Sequence, residues 1–393
     1  MLKVLSLFSG CGGLDLGFEG DFNVLGTYLP KTCFTTVFAN DIRPDAQTAW
    51  NKFFSKRGLP NSIYHLGSIV DLVKAHKAGK QIFPVDVDVV TGGFPCQDFS
   101  VAGRRKGFNS DKCHNGNYIE ADAPNEESRG LLYIWMREVI AITEPKIFIA
   151  ENVKGLANLA DVKATIEKDF RSISRDGYLV VEARVLHAAD YGVPQSRERV
   201  IFIGFKKSAL TADAMEKLSS KNLCPMYDPY PPKTHSYTTI EDNLLPPTSL
   251  LQAFAGLEEP NDSTDPAQQK YSKAKYMGKH CQGQTEIKLH NIGPTIRSEH
   301  HGNIEFRRLS KENGGKLIHE LEHGLSERRL SVRECARIQT FPDDYEFIIP
   351  GKTNGVSASS AYKLIGNAVP PLLGYHIAKR LEKNWELYFG GGG

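Results

Sequence analysis

One cysteine stands where a catalytic nucleophile could lie. Cys96 follows a β-rich run, Val85–Thr91, and a Gly-Gly-Phe-Pro turn, and a polar loop comes after it. A residue at the end of such a strand lies at the sheet edge where ligands bind. A lone cysteine is more often a buried packing residue, but the turn and the polar loop favour exposure to a site. A thiolate there could attack an electrophilic carbon.

A carboxylate and two arginines accompany strands of the same kind. Glu151 follows the run Lys146–Ala150, and Arg197 and Arg199 stand at the start of the run Arg199–Phe205. Side chains two residues apart on a strand share a face, so both arginines are expected to grip a phosphate or a base carbonyl together. The alternatives are a helix cap for the carboxylate and a solvated sheet margin for the arginines. Because the carboxylate and Cys96 are expected at the same edge of the sheet, a catalytic role for the carboxylate is favoured.

A glycine-rich turn and an acid indicate a nucleoside-containing cofactor. The turn Phe8–Gly13 follows the first β-rich run, and its glycines let the backbone approach a ligand at a helix N-terminus. Asp41 ends the second run, where an acid can hold ribose hydroxyls. A tight turn without ligand, and a helix cap ahead of Pro44, remain alternatives.

These residues need a sheet that brings several strand ends to one edge. Helical patterns at Leu131–Ile142 and Val162–Ser174 alternate with short β-rich runs. The runs are Val4–Phe8, Thr36–Asn40, Val85–Thr91, Lys146–Ala150, Val180–Leu186 and Arg199–Phe205. Such alternation predicts an α/β fold with a doubly wound, mostly parallel sheet.

Composition along the chain predicts three segments. Residues 1–205 form the first part of a catalytic and cofactor-binding domain. Residues 206–327, rich in Pro, Ser, Thr, Asn, Lys and His, predict a smaller domain that is irregular or β-rich. Helical patterns return at Val332–Gln339 and Pro371–Trp385, so residues 328–390 are expected to complete the first domain.

Global composition describes a folded protein without a basic surface field. The 393 residues carry a net charge of +2, and 40% are hydrophobic, which suffices for a real core. Seven scattered cysteines without a Cys-x-x-Cys pair argue against a disulfide framework and favour the cytoplasm. No apolar run reaches about 18 residues, so no membrane span is expected. The Cys and His spacing matches no structural zinc site, and no metal is expected.

Taken in order, the motifs resemble those of the DNA (cytosine-5) methyltransferase family. They cover Phe8–Gly13, Asn40-Asp41, Gly93–Gln97 with Phe99-Ser100, Glu151–Val153, Gln195–Arg199, Arg329–Arg337 with Phe341-Pro342, Tyr362-Lys363 and Gly366–Pro370. Six or more motifs in family order exclude coincidence. The resemblance implies a class I S-adenosylmethionine methyltransferase fold, S-adenosyl-L-methionine as cofactor and double-stranded DNA as substrate. It makes residues 206–327 a target recognition domain.

The resemblance and the local charge together assign three groups of candidate site residues. The catalytic group around the flipped cytosine is Cys96, Glu151, Arg197 and Arg199. The cofactor group is Phe8, Ser9, Gly10, Cys11, Gly12, Gly13, Leu14, Asp41, Ile42, Ser68, Ile69, Gly93, Pro95, Asn367, Ala368 and Val369. The DNA-binding group is Gln97, Ser100, Arg104, Arg105, Thr295, Ile296, Arg297 and Arg307.

Local charge supports DNA contact, although the net charge does not. The run Lys270–Arg308 holds eight Lys or Arg against three Glu, and Arg104–Lys106 adds a cluster beside Cys96. Two departures from the family pattern stand out. Ser68 occupies a position where the family often has Asp, and the loop after the cysteine carries an insertion at about Asn109–Ser128.

The mechanism that the resemblance implies explains these residue types. Carbon 5 of cytosine is a poor nucleophile until the Cys96 thiolate adds to carbon 6 and makes an enamine. Glu151 offsets charge at N3, while the two arginines hold the base and its phosphate. The cytosine must leave the duplex, at a cost of about a few kcal/mol.

The main alternative is an RNA methyltransferase of the same fold. Its tRNA-aspartate branch typically carries Cys-Phe-Thr in the smaller domain, whereas Cys33-Phe34-Thr35 lies in the first βα segment here. A catalytically inactive DNA-binding protein is disfavoured by Cys96, Glu151 and Arg199. One recognition domain without chromatin-reading extensions resembles a bacterial restriction–modification enzyme. That resemblance implies a cytoplasmic monomer with a cognate restriction endonuclease in the same system.

Overall fold

The structure is a computed structural model that describes residues 1–94, 132–157, 160–174, 176–237, 243–298 and 304–391. Its strands are β1 (Leu2–Leu7), β2 (Phe22–Val24), β3 (Thr27–Leu29), β4 (Phe34–Asp41), β5 (Tyr64–Leu66), β6 (Val89–Gly93), β7 (Ile147–Val153), β8 (Tyr178–His187), β9 (Glu198–Lys206), β10 (Phe306–Arg308) and β11 (Arg328–Arg329). Its helices are α1 (Gly13–Glu19), α2 (Pro44–Phe54), α3 (Ile69–Lys77), α4 (Leu132–Thr143), α5 (Lys154–Ala157), α6 (Ala160–Arg171), α7 (Ala212–Ser219), α8 (Leu250–Ala253), α9 (Pro266–Gln269), α10 (Ile318–Glu322), α11 (Val332–Ile338), α12 (Ala358–Asn367) and α13 (Pro371–Phe389).

Seven strands form one sheet in the order β5-β4-β1-β6-β7-β9-β8. Neighbours are parallel from β5 to β7, and β9 runs antiparallel to both of its neighbours, β7 and β8. The central strands are apolar along their length because helices cover both faces of a sheet of this type. The predicted doubly wound, mostly parallel sheet is confirmed, and all six predicted strands belong to it. The short strand β5 was not predicted, since its three residues form no β-rich run.

Two hydrophobic clusters enclose the sheet. One contains Trp50 of α2, Ile338 of α11 and Leu373 of α13. The other contains Met136 of α4 and Phe170 of α6. Because β4, β1, β6 and β7 are parallel neighbours, their C-terminal ends lie together at one edge of the sheet.

In its described part, the segment 206–327 contains the short helices α7, α8, α9 and α10 and the short strand β10, joined by irregular chain. Its strand β10 pairs antiparallel with β11, and Leu250, Ile287 and Ile304 belong to the same cluster as α11 and α13. Buried Arg308 and Arg328 share the Glu259 carboxylate, with contacts of 3.2 and 2.8 Å. The two arginines lower the pKa of Glu259 to about 2, against the effect of burial. The proposed segment limits stay a prediction.

No helix in the described part of the chain has the length and apolar character needed to cross a membrane.

Candidate active site

A cavity of about 740 Å³ opens at the edge where the parallel strands end. The loops after β1, β4, β6 and β7 all contribute to its lining. The C-terminal end of α12 and the segment 295–298 complete it. Ligands bind at this edge in doubly wound sheets. The volume lies within the range of small-molecule sites, about 300–1,000 Å³. The cavity is therefore the candidate active site.

The Asp41 carboxylate joins two of these loops. One oxygen, Oδ2, accepts a hydrogen bond of 2.9 Å from the Gly10 amide, and Oδ1 accepts one of 3.0 Å from the Arg43 amide. Burial raises the pKa of Asp41, while the backbone donors lower it. The carboxylate lines the cavity and is held in one orientation by the backbone.

Asn40 fixes a third loop beside the first two. Its Nδ2 donates to the carbonyl oxygens of His65 at 2.8 Å and Gly67 at 3.0 Å. Ser68 follows directly, caps α3 by accepting from the Val70 amide, and lines the cavity. Asn40 thus places the Ser68 hydroxyl next to the loop of Asp41.

An acid that the sequence reasoning missed lies beneath the glycine loop. Asp15 is buried and accepts hydrogen bonds from Ser6 Oγ at 2.5 Å and Trp50 Nε1 at 2.8 Å. Burial raises the pKa of Asp15 to about 6. An acid between two leucines in α1, directly after the glycine turn, was the signal that could have identified it.

On the other side of the cavity, Glu151 and Arg199 form an ion pair. Arg199 Nε lies 2.7 Å from Glu151 Oε1, and the side chains are only 14% and 10% exposed. Antiparallel pairing sets Val153 opposite Arg199, so Glu151 is its diagonal neighbour on the same face. Both residues line the cavity. The arginine therefore orients a carboxylate that can meet a ligand.

Gly93 gives the Glu151 carboxylate its space. The two residues are paired across β6 and β7, and a Cβ at Gly93 would lie 2.7 Å from Glu151 Oε2. Asn152 anchors the same strand end, since its Nδ2 donates to the Phe94 carbonyl oxygen at 3.2 Å. The next predicted site residues lie outside the described residues: Pro95, Cys96, Gln97, Ser100, Arg104 and Arg105.

Comparison with known proteins identifies the family. Residues 2–383 match the model of the C-5 cytosine-specific DNA methylases. The chain belongs to this family. The methylase is 33% identical to the type II methyltransferase M.BspRI of Lysinibacillus sphaericus, over 97% of this chain and 81% of that protein. It is 30% identical to M.NgoPII of Neisseria gonorrhoeae, over 98% and 96%.

A solved structure supports the fold of the methylase. The Dnmt2 methyltransferase of S. pombe is 18% identical, covers 98% of this chain and 99% of its own, and gives a TM-score of 0.56. The methyltransferases of this family use S-adenosylmethionine as methyl donor. The family match also decides the substrate class between the two alternatives, because the family model that covers residues 2–383 is that of DNA methylases.

Most predicted cofactor residues line the methylase cavity. They are Phe8, Ser9, Gly10, Gly13, Leu14, Asp41, Ile42, Ser68, Ile69, Gly93, Asn367, Ala368 and Val369. Cys11 and Gly12 do not, which corrects the prediction for both. Cys11 is buried with Sγ 3.5 Å from the Leu364 carbonyl oxygen, and burial raises the pKa of its thiol. Gly12 packs on Trp50 beneath the loop.

Arg197 also lies elsewhere than predicted. Its guanidinium is 1% exposed, is absent from the cavity lining, and donates to the carbonyl oxygens of Ile296, Gly366 and Ala368. The prediction assumed that both arginines extend β9, but that strand begins at Glu198. The two-residue period therefore does not apply, and Arg199 alone meets the cavity.

The predicted DNA-binding residues separate in the same way. Thr295, Ile296 and Arg297 line the cavity. Arg297 Nη1 donates to Gln282 Oε1 at 2.7 Å, and Gln282 is a cavity residue that sequence reasoning missed.

Arg307, which is also predicted to meet DNA, does not line the cavity. Its side chain is 11% exposed, lies 2.8 Å from Glu320 and lies 3.8 Å from Glu334. Ion pairs within the fold hold two of its three nitrogens, and the third, Nη1, is buried.

Proposed function

We propose that the methylase transfers a methyl group from S-adenosylmethionine to carbon 5 of a flipped-out cytosine within a specific double-stranded DNA sequence. One observation carries the proposal. The Glu151–Arg199 pair and the loop anchored by Asp41 open into a single cavity, so methyl donor and base can meet in one space. The names of the relatives, which are type II methyltransferases, support protection of DNA from a cognate restriction endonuclease.

The cavity residues fit S-adenosylmethionine. A Cβ built on Gly10 would meet nothing within 4 Å, so the space beside the loop is open. A carboxylate, Asp41, suits the ribose hydroxyls, and the Ser68 hydroxyl suits the adenine edge. Apolar side chains such as Ile42 and Val369 cover the remaining wall. The cofactor supplies a methyl group on a positively charged sulfur.

The proposed reaction uses three side chains. The Cys96 thiolate forms a bond to carbon 6 of cytosine, and the electron pair of the ring shifts toward N3. Glu151 supplies a proton or hydrogen bond to N3, with its carboxyl group held by Arg199. Carbon 5 then attacks the methyl group, whose bond to the cofactor sulfur breaks, so that S-adenosylhomocysteine would leave. Loss of the carbon 5 proton to a base, expulsion of the thiolate and return of the N3 proton to Glu151 restore the ring as 5-methylcytosine.

Bisulfite sequencing of a plasmid from cells that express the methylase tests the function. Cytosines within one short sequence should resist conversion, and the same cytosines should convert in plasmid from cells that lack the protein. Complete conversion in both samples, from cells with verified folded protein, would refute DNA cytosine methylation.

Specificity is expected to depend on Arg297 and not on Arg307. Arg297→Ala should relax the preference at one base position, at a cost of about 1–3 kcal/mol, whereas equal weakening of all sites would mark a phosphate contact and contradict this expectation. Arg307→Ala, the matched control, loses an ion pair with Glu320 and should lower stability while the methylated sequence stays the same. The readout is bisulfite sequencing. If Arg297→Ala methylates the same DNA sequence as the wild type, the residues that read the bases lie earlier in the chain, in Tyr227–Gln284.

Asp41→Ala is expected to weaken S-adenosylmethionine binding without changing the methylated sequence. A lost hydrogen bond to a charged group costs about 1.5–3 kcal/mol, or about 10- to 150-fold in Kd. Calorimetry measures the affinity. Asp88→Ala is the control, because Asp88 also accepts a hydrogen bond from a backbone amide, that of Lys3 at 2.9 Å, but does not line the cavity. Equal affinities of wild type and Asp41→Ala would contradict the ribose contact.

A further inference from the structure

Arg197 donates hydrogen bonds to the backbone of two segments that each form a wall of the cavity. Its Nη1 donates to the Ile296 carbonyl oxygen at 3.1 Å, and its Nη2 donates to the carbonyl oxygens of Gly366 at 3.0 Å and Ala368 at 2.9 Å. Ile296 belongs to the segment that we expect to contact DNA. Gly366 and Ala368 flank Asn367 on the cofactor side. One buried guanidinium therefore holds both walls.

Two buried glutamines extend this contact. Gln195 Oε1 accepts from the Ile296 amide at 3.1 Å, and its Nε2 donates to Gln339 Oε1 at 2.7 Å. Gln339 Nε2 in turn donates to the carbonyl oxygens of Ile365 at 2.6 Å and Ala368 at 3.0 Å. Both glutamines are fully buried. A buried polar group that loses its partner costs about 1–3 kcal/mol, so the network resists a shift of either wall alone.

The two walls also meet backbone to backbone. A Cβ on Gly366 would lie 2.5 Å from the Arg297 carbonyl carbon and 2.5 Å from the Ser298 amide nitrogen. The end of α12 thus rests directly on the segment 297–298. Packed backbone cannot be compressed, so a displacement of one wall is transmitted to the other.

We infer that Arg197 is a positioning residue that couples cofactor binding to DNA binding. Cofactor contact with residues 367–369 restricts the motion of the end of α12. The hydrogen bonds of the Arg197 guanidinium to both segments then restrict residues 295–298 as well. DNA then binds a segment that is already ordered, which gives positive cooperativity. The planar fork of arginine presents donors on separate nitrogens to the two walls, whereas a lysine has its three donors on a single nitrogen and lacks this fixed geometry. The inference rests on the proposed function.

The test measures the affinity of S-adenosylhomocysteine by calorimetry, with and without a duplex that contains the methylated sequence. We expect the wild-type Kd to fall about 5- to 50-fold when DNA is present. Arg197→Lys should bind each ligand alone, but the ratio of its Kd without DNA to its Kd with DNA should lie within about twofold of 1. A loss of packing alone would lower stability and leave the ratio unchanged, so the ratio separates the two roles.

Arg329→Lys is the matched control. Arg329 is also fully buried and donates to carbonyl oxygens, but all its acceptors belong to the recognition side: Ala274, Lys275, Gly283 and Ile304. Its variant should keep the wild-type ratio. Gly366→Ala, which separates the walls, should show no effect of DNA on the Kd of S-adenosylhomocysteine. If Arg197→Lys does not fold, this variant tests the inference in its place.

Three results would overturn the inference. The first is a wild-type Kd for S-adenosylhomocysteine that DNA does not change. The others are a wild-type effect of DNA on this Kd in Arg197→Lys or Gly366→Ala, or an equal loss of that effect in Arg329→Lys. Failure of the wild type to bind either ligand alone would instead refute the proposed function.

Discussion

Cys96→Ser is expected to abolish methyl transfer, with a loss of about 10³-fold or more, while cofactor affinity changes only about a few-fold. The serine hydroxyl is not ionised at neutral pH, so it cannot add to carbon 6. Transfer of labelled methyl groups to DNA measures the rate, and calorimetry measures the affinity. Cys224→Ser is the matched control, because Cys224 is outside the cavity lining and should keep the wild-type rate.

The same hypothesis predicts a covalent adduct with DNA that contains 5-fluorocytosine. Fluorine on carbon 5 cannot leave as a proton does, so the enzyme stays attached through Cys96. A denaturing gel should show a shifted band with the wild type and with Cys224→Ser, and no shift with Cys96→Ser. Methyl transfer at the wild-type rate by the serine variant would refute the assignment of the nucleophile.

Glu151→Gln is expected to lower kcat by about 10²–10³-fold, the cost of removing one group that stabilises charge in a transition state. The amide keeps the shape of the side chain, but it cannot protonate N3 and it loses the ion pair with Arg199. The affinity for S-adenosylmethionine should stay within about a few-fold, because Asp41 and not Glu151 is expected at the ribose. Single-turnover methyl transfer separates this effect from binding.

The control for this variant is Glu144→Gln. Glu144, between α4 and β7, lies 2.7 Å from Lys206 at the end of β9, and neither residue lines the cavity. It should lose a similar ion pair without losing rate. Equal single-turnover rates for Glu151→Gln and Glu144→Gln would remove Glu151 from the reaction.

Periodicity and motif order predicted the sheet and most of the site because these features are local. A buried parallel strand must be apolar along its whole length, and its end must carry the ligand-binding residues. Asp41 and Glu151 were therefore identified from position alone, and both line the cavity. The short strand β5 carries no strong local pattern, and it forms because β4 pairs with it. Helix α12 has a local signal, the Ser357 N-cap ahead of an amphipathic stretch, which the sequence reasoning did not use.

Residue contacts that join distant segments could not be predicted. Arg197 and Arg199 look equivalent in sequence, yet one is buried against carbonyl oxygens and the other meets the cavity. Arg297 and Arg307 look equivalent as DNA contacts, yet the second is held by Glu320. Gln282 carried no signal at all, since a lone glutamine in an irregular segment matches no pattern.

By itself, the sequence of this methylase determined the sheet, the family motifs and the chemistry, because each depends on residue type and short spacing. Only the tertiary structure decided which charged side chains face the cavity and which bind within the fold. An arginine is buried wherever carbonyl oxygens or carboxylates from other segments satisfy its donors. Those partners of Arg197 lie 99 to 171 residues away along the chain.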